Sequence, residues 1–339
     1  MRAELERQNA WTAARTAHLD GLRATLYAEF HGVAIVGAAL FGLKAAVLSV
    51  VVEAVVRIGK RVLKNRAMVT IAVLAFIALF VFSAPFPLVI LVAGVIGLVG
   101  GRFAPDQFVV IKTAAGKAGV VDAMLDADVP LHARPSLRGA VITASVWLAL
   151  WLIPVFALVL LLGPDNVFAR IGVFFSQAAA VTFGGAYAVL AFVAQQAVEQ
   201  YHWLEPGEML DGLGLAETTP GPLILVLQHV GFLAAYRDPG SLPPLLAGFL
   251  GATLTVWVTF TPCYLWIFVG APWVEALRGR TALSAALSAI TAAVVGVVLN
   301  LAIWFAIHVL FEVVHEVRGP LGTRWAIPEP WSLDPASLV

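Results

Sequence analysis

One cysteine, Cys263, occurs in the whole chain, and it lies inside an apolar run. It cannot form an intrachain disulfide, and no Cys/His spacing suited to a metal exists. Charge is equally scarce. Only 12% of residues are charged, against about a quarter in soluble domains. The formal net charge is zero, so there is no basic surface to bind nucleic acid. No G-x-x-x-x-G-K-[ST] phosphate loop is present, and no nucleophile–base pair, metal cluster or cofactor loop points to an enzyme. Metals and cofactors are therefore absent from the expectation. A secretory signal is missing as well: the first 29 residues carry eight charges and no apolar core.

What the chain has instead is hydrophobic length: 60% of its residues are hydrophobic. Uncharged runs cover Met68 to Gly101, Gly139 to Pro164, Ile171 to Val198, Thr218 to Tyr236, Gly240 to Val274 and Thr281 to Phe311. A spanning helix needs roughly 20 such residues. Soluble helices keep a polar face, and these do not. Barrel strands would alternate over about ten residues, and the runs are far longer. The expectation is an all-α integral membrane protein, a multi-span helical bundle whose natural solvent is the lipid bilayer.

Five regions follow. Residues 1–29 are polar, and Leu19, Leu22 and Leu26 are spaced for an amphipathic interfacial helix; a linker or a misassigned start fits equally well. Residues 30–101 hold a first group of spans. Within it Lys44 lies midway along one segment, and the cluster Arg57, Lys60, Arg61, Lys64 and Arg66 marks a cytoplasmic flank. "SAPFPL" interrupts the next run at Pro85 and Pro87, predicting two short helices forming a hairpin or one broken helix. Residues 102–137 form a linker, 138–314 a second group of spans with a further break at Pro262, and 315–339 a surface tail.

Two interruptions in the second group stand out. In "VTFGGAYAVL", Gly184 and Gly185 permit bending or close backbone approach, with the hydroxyls of Thr182 and Tyr187 beside them. In "ETTPGP", Thr218 or Thr219 can cap a helix that Pro220 or Pro222 begins. A helix N-terminus carries about half a positive charge and unbonded N–H groups, which makes it an anion site. Broken transporter helices aim such ends at anionic substrates. The bland readings stand beside this one: a Gly-Gly packing notch, a simple turn, and a solvated Glu217. Lys44, as an intramembrane charge, is a candidate ligand by default; snorkelling or pairing with a neighbouring helix explains it equally well. Between the breaks lies an acidic stretch with Glu199, Glu205, Glu208, Asp211 and Glu217.

"FGGAYAVL", followed by "YHWLEPGEMLDGLGLAETTPGPLILVLQHVGFLAAY", closely resembles the second-half signature of the chromate ion transporter family. The aromatic-Gly-Gly-x-Tyr break, the Trp-Leu pair, Glu208, Asp211-Gly212 and Pro-Gly-Pro-Leu occur in order. "FGLKAAVLSVVVEAVVRIGKR" and "APFPLVIL" look like the close of the family's first half, so the resemblance covers roughly residues 35–335. It implies a secondary transporter of the bacterial inner membrane that exports chromate, handles sulfate-like oxyanions and confers chromate resistance. Its implied architecture is one and a partial inverted repeat, since the first-half signature is missing. A homodimer or a partner half would then complete the pathway; the alternatives are a truncated, non-transporting paralogue and an uncoupled anion channel subunit. The expected substrate site is Thr182, Gly184, Gly185, Tyr187, Glu217, Thr218, Thr219, Pro220, Gly221, Pro222 and Lys44. Coupling candidates are Glu217, Asp211 and Glu208. A carboxylate next to a bound anion should hold its proton more tightly.

Overall fold

A computed structural model describes residues 23–30, 33–110, 137–182, 186–218, 223–270, 280–311, 313–318 and 324–333. Helix α1 covers 23–30, α2 Ala34–Val62, α3 Arg66–Phe80, α4 Phe86–Phe103 and the short α5 Pro105–Phe108. After the linker come α6 Leu137–Leu162, α7 Val167–Ala180, α8 Ala186–Gln195 and a π turn Gln196–Gln200. Then follow α9 Pro206–Glu217, a 3₁₀ turn Leu223–Leu225, α10 Val226–Arg237, α11 Pro244–Gly270 and α12 Thr281–Leu310. Strands β1 Val314–Arg318 and β2 Arg324–Pro328 close the described chain as an antiparallel hairpin.

Among the described residues, five helices are long and apolar enough to cross a membrane: α2, from Ile35, α4, α6, α11 and α12. At 1.5 Å per residue, the 30 residues of α12 reach about 45 Å. The all-helical membrane architecture expected from composition is therefore present, and the broken helices are too. Among the long spans α2 and α6 are the outermost, whereas α12 is enclosed, with α2, α3 and α4 packed on it. On α6, Leu160 and Leu161 are 76% and 82% exposed, as lipid-facing residues are. The short helices sit inside. Every residue of α8 from Ala188 to Ala194 is buried, as is every residue of α10 from Val226 to Ala235. Helices of 10 and 12 residues cannot span the bilayer alone. Their ends are tolerated at depth because surrounding helices enclose them.

Small residues let the helices close on one another, as lipid-embedded packing requires. A Cβ on Gly97 would lie 2.6 Å from the Ala285 carbonyl, and one on Gly101 2.4 Å from Ala285 Cβ, so α4 meets α12 backbone to backbone. Gly296 meets α3 the same way, with Ala72 O 2.2 Å from its would-be Cβ. On the other side, Gly231 of α10 fits against Gly251 and Thr255 of α11.

Three expectations change. "SAPFPL" does separate two short helices, but α3 and α4 each pack mainly against α12 rather than chiefly against each other. Pro262 does not break its helix: α11 runs continuously past it. Proline removes the N–H that would bond Val258 O, yet the neighbouring turns stay helical, with the Thr261 hydroxyl donating to Trp257 O at 2.6 Å and α10 packed alongside. The tail, expected only to lie on the surface, forms the β hairpin from the alternating "VHEVR" and "RWAIP".

Candidate functional site

Residues flanking the two sequence breaks meet. Helix α7 ends at Ala180, and the Thr182 hydroxyl donates back to Ala178 O at 2.6 Å. Helix α8 begins at Ala186, and one residue later Tyr187 OH donates to Glu217 Oε1 at 2.9 Å. Glu217 is the last residue of α9. The 3₁₀ turn at Leu223–Leu225 packs on α8 and on α9, the helices that carry Tyr187 and Glu217. Gly184, Gly185, Thr219, Pro220, Gly221 and Pro222 lie outside the described residues.

Thr218 behaves differently from the N-cap expected as one option. Its N–H bonds to Gly214 O at 3.2 Å and its hydroxyl donates to Leu215 O at 2.9 Å. It closes the C-terminus of α9 rather than opening the next helix. Arg57, expected to be a solvated flank, is ion-paired to Glu53 at 2.6 Å and lies within electrostatic reach of Tyr187 and Glu217. The sequence signal that could have found it is the i,i+4 spacing with Glu53, which points both side chains to one face of α2.

A second polar group lies farther along α9. Asp211 is buried, accepts from Tyr27 OH at 2.9 Å through Oδ2, and faces Lys44 Nζ at 3.4 Å from Oδ1. That separation is the outer limit of a hydrogen bond, so Lys44 acts on Oδ1 chiefly as a charge. Six residues at 1.5 Å each put Asp211 roughly 9 Å along the helix from Glu217. Lys44 is therefore the partner of Asp211, and it is not gathered with the Tyr187–Glu217 pair. Glycine makes the approach possible, because a Cβ on Gly207 would stand 3.1 Å from Lys44 Nζ. Gly212 likewise leaves room for His229, whose Cδ2 would be 2.4 Å from an added Cβ. The His229 ring stands edge-on to Tyr27 at 5.1 Å.

Tyr27 was missed. On α1 Leu26 is exposed while Ala24 and Tyr27 are buried. Arg23 adds a bond to Leu215 O at 3.0 Å, and Glu29 accepts from Tyr236 OH at 2.9 Å. Residues 23–30 thus belong to the bundle.

Glu208 has a structural place. Its Oε2 accepts the Glu205 N–H at 2.8 Å, completing a capping box at the start of α9. Its Oε1 takes the Arg237 guanidinium, which also donates to Trp203 O at 2.7 Å. Burial works to raise its pKa, but the Arg237 and Glu205 hydrogen bonds outweigh it and hold the carboxyl below its ordinary value. For Asp211 burial wins over Lys44 and Tyr27, and its pKa is raised. A raised carboxyl is the one better suited to exchange a proton near neutrality.

The family model for Chromate transporter matches residues 19–98 and 169–327, more than half of the chain. The chain belongs to the chromate transporter family. That match takes in both breaks, Lys44, Asp211 and Tyr27, beginning earlier than the "FGLK" motif and passing over 99–168. A chromate transport protein of Pseudomonas aeruginosa is 32% identical over 210 residues, 61% of this chain and 43% of the relative. Another chromate transport protein, of Cupriavidus metallidurans, is 34% identical over 107 residues, 32% of this chain and 24% of the relative. A probable chromate transport protein of Synechococcus elongatus is 33% identical over 129 residues, 38% of this chain and 30% of the relative. The chain therefore spans less than half the length of these chromate transporter relatives. No solved structure matches it.

Proposed function

We propose that this chain is a secondary transporter of chromate and sulfate-like oxyanions in the bacterial inner membrane, working outward and so conferring chromate resistance. The observation that carries the reading is the Tyr187–Glu217 hydrogen bond, which draws the ends of the two interrupted segments to one point. A tetrahedral dianion needs several N–H and O–H donors and positive potential, without a competing carboxylate. Two helix starts supply the potential. Tyr187 and the backbone N–H groups of Gly184, Gly185, Thr219 and Gly221 supply donors, the glycines and prolines shape the close backbone approach, and Thr182 and Thr218 join once their hydroxyls leave Ala178 O and Leu215 O.

Glu217 is the natural gate in this scheme. While ionised it accepts from Tyr187 and repels a dianion. Protonated, it releases the tyrosine hydroxyl and loses its charge, so anion entry and proton uptake are linked. Asp211, with Lys44 and Tyr27, is the second proton candidate, set deeper along the same helix. Motion of the half-helices inside the outer spans then exposes the site alternately to the two faces. A second copy or a partner half is proposed to complete the pathway, in keeping with the longer relatives.

The test is chromate accumulation in a chromate-sensitive bacterium expressing the chain. Lower cellular chromate is expected, with loss of the effect when Pro220, Gly221 and Pro222 are all replaced by alanine in a protein that still inserts. Unchanged accumulation with the wild-type chain would overturn the reading. Transport indifferent to pH and to Glu217→Gln would identify an uncoupled channel instead.

A further inference from the structure

A guanidinium stands beside the Tyr187–Glu217 pair, and the oxyanion reading has so far given it no task. Arg57 donates to Glu53 Oε1 at 2.6 Å. The two side chains, one turn apart on α2, are 71% and 65% exposed, while Val51 and Ala54 of the same helix are buried. Other side chains therefore hold α2 in the bundle, and the Arg57–Glu53 contact can open without unpacking it.

The packing of α2 brings Arg57 to this place. Lys44 stands against Gly207 and Asp211, and a Cβ on Gly214 would lie 2.4 Å from Leu43 Cγ and 3.1 Å from Val47 Cγ2. Farther along, a Cβ on Gly59 would meet the Val295 side chain of α12 at 3.8 Å. Glu53 and Arg57 lie between these two anchors. There the guanidinium has both Tyr187 and Glu217 within electrostatic reach, and Glu53 in turn acts on Tyr187.

Four groups are thus gathered, two donors and two carboxylates, and they are paired off. Tyr187 OH donates to Glu217 Oε1 and Arg57 to Glu53 Oε1. Each carboxylate oxygen stands where an oxygen of a tetrahedral oxyanion would accept the same bond. The contact that holds Arg57 is an exposed i,i+4 ion pair, a weak class of charged interaction. A guanidinium can instead give two parallel N–H bonds to an oxyanion, and a dianion brings twice the charge of a carboxylate.

We propose that Arg57 binds the substrate oxyanion directly, trading the Glu53 carboxylate for two oxygens of the dianion, with Glu53 as its built-in competitor. Tyr187 supplies a further bond once Glu217 releases it. The proposal rests on the oxyanion-transport reading and answers a charge problem within it. A helix end brings only about half a charge, and two carboxylates oppose a dianion, so a full cation at the same point is required.

The test measures equilibrium binding of radiolabelled chromate to the purified full chain in lipid nanodiscs. Arg57→Gln should weaken binding by about tenfold or more, as loss of charge-assisted bonds does. Arg57→Lys keeps the charge without the fork and should weaken it by a smaller factor; it decides the matter should Arg57→Gln lose its fold. Glu53→Gln removes the competitor and should tighten binding by about two- to fivefold, the range of an exposed ion pair. Arg61→Gln removes an equal charge one turn farther along α2 and should change affinity by less than Arg57→Gln. The opposite signs at Arg57 and Glu53 separate ligation from support, because a merely structural ion pair would weaken binding when broken from either side. Undiminished affinity in Arg57→Gln, or in Arg57→Lys where that is the folded variant, overturns the assignment. So does weaker binding in Glu53→Gln, or an equal loss in Arg61→Gln. Each of these leaves an oxyanion site standing. Absence of chromate binding to folded wild-type chain removes the transport reading itself, and the assignment with it.

Discussion

Replacing Lys44 by methionine should cost the protein several kcal/mol, through Asp211. The Asp211 side chain is 6% exposed and its partners are the Tyr27 hydroxyl and the Lys44 ammonium 3.4 Å away. Methionine keeps the apolar stem and removes the charge. The carboxylate is left buried and unbalanced, which typically costs about 3–5 kcal/mol. Protonation sets a ceiling. Neutralising an ordinary aspartate at pH 7 costs about 4 kcal/mol, from a pKa near 3.9 at 1.36 kcal/mol per unit. Lys44 is itself 26% exposed, and solvent screening lowers the figure further, so a loss of about 2–3 kcal/mol is expected. The assay is a double-mutant cycle by denaturant unfolding in detergent, using Lys44→Met, Asp211→Asn and the double variant. The double variant should recover much of the loss, because no buried charge remains. The sign with pH is also set. In Lys44→Met the folded-state pKa of Asp211 lies further above its unfolded value, so the folded form binds protons more readily. The deficit should then shrink as pH falls and grow as pH rises. Strictly additive single losses, or a deficit that deepens on acidification, would refute the reasoning.

Three other outcomes are expected. Glu208 is held below its ordinary pKa of 4.5 by Arg237 and Glu205. Its stabilisation is present above that value and is lost as pH falls through the depressed folded value; an acid titration of unfolding should lose this contribution in Arg237→Ala. Gly296→Ala places a Cβ 2.2 Å from Ala72 O and should destabilise by about 1–3 kcal/mol, while Gly42→Ala, with open space around it, should not; thermal melts compare the two. Tyr187→Phe removes the hydroxyl that donates to Glu217. It should shift the pH profile of chromate uptake, where loss of a purely structural contact would lower the amplitude alone.

Much of the fold was legible because lipid leaves the backbone few choices. Runs of twenty or more uncharged residues had to be helices, while "FGGAY" and "TTPGP" could be read as breaks, a packing notch or a turn. What the sequence hid is a matter of partners rather than propensity. Pro262 reads as a break because its missing N–H is visible and the packing of α7 and α10 against α11 is not. Tyr27 reads as part of a polar leader because its partner, Asp211, is 184 residues away. Lys44 reads equally as a ligand or a paired charge until α9 is seen against α2. Thr218 and Thr219 share one pattern, and only geometry reveals that Thr218 faces backward to Leu215. The meeting of the breaks was legible as chemistry, two helix starts flanking one acidic connection, but its closure through Tyr187 and Glu217 needed three dimensions.

The most direct measurement is equilibrium binding of radiolabelled chromate to purified chain in nanodiscs, wild type against the Pro220-Gly221-Pro222 triple-alanine variant. Saturable binding that sulfate competes away, and that vanishes in a variant still monodisperse and helical, is the predicted result. Equal binding by both proteins, or none by folded wild type, would contradict an oxyanion site between the two breaks.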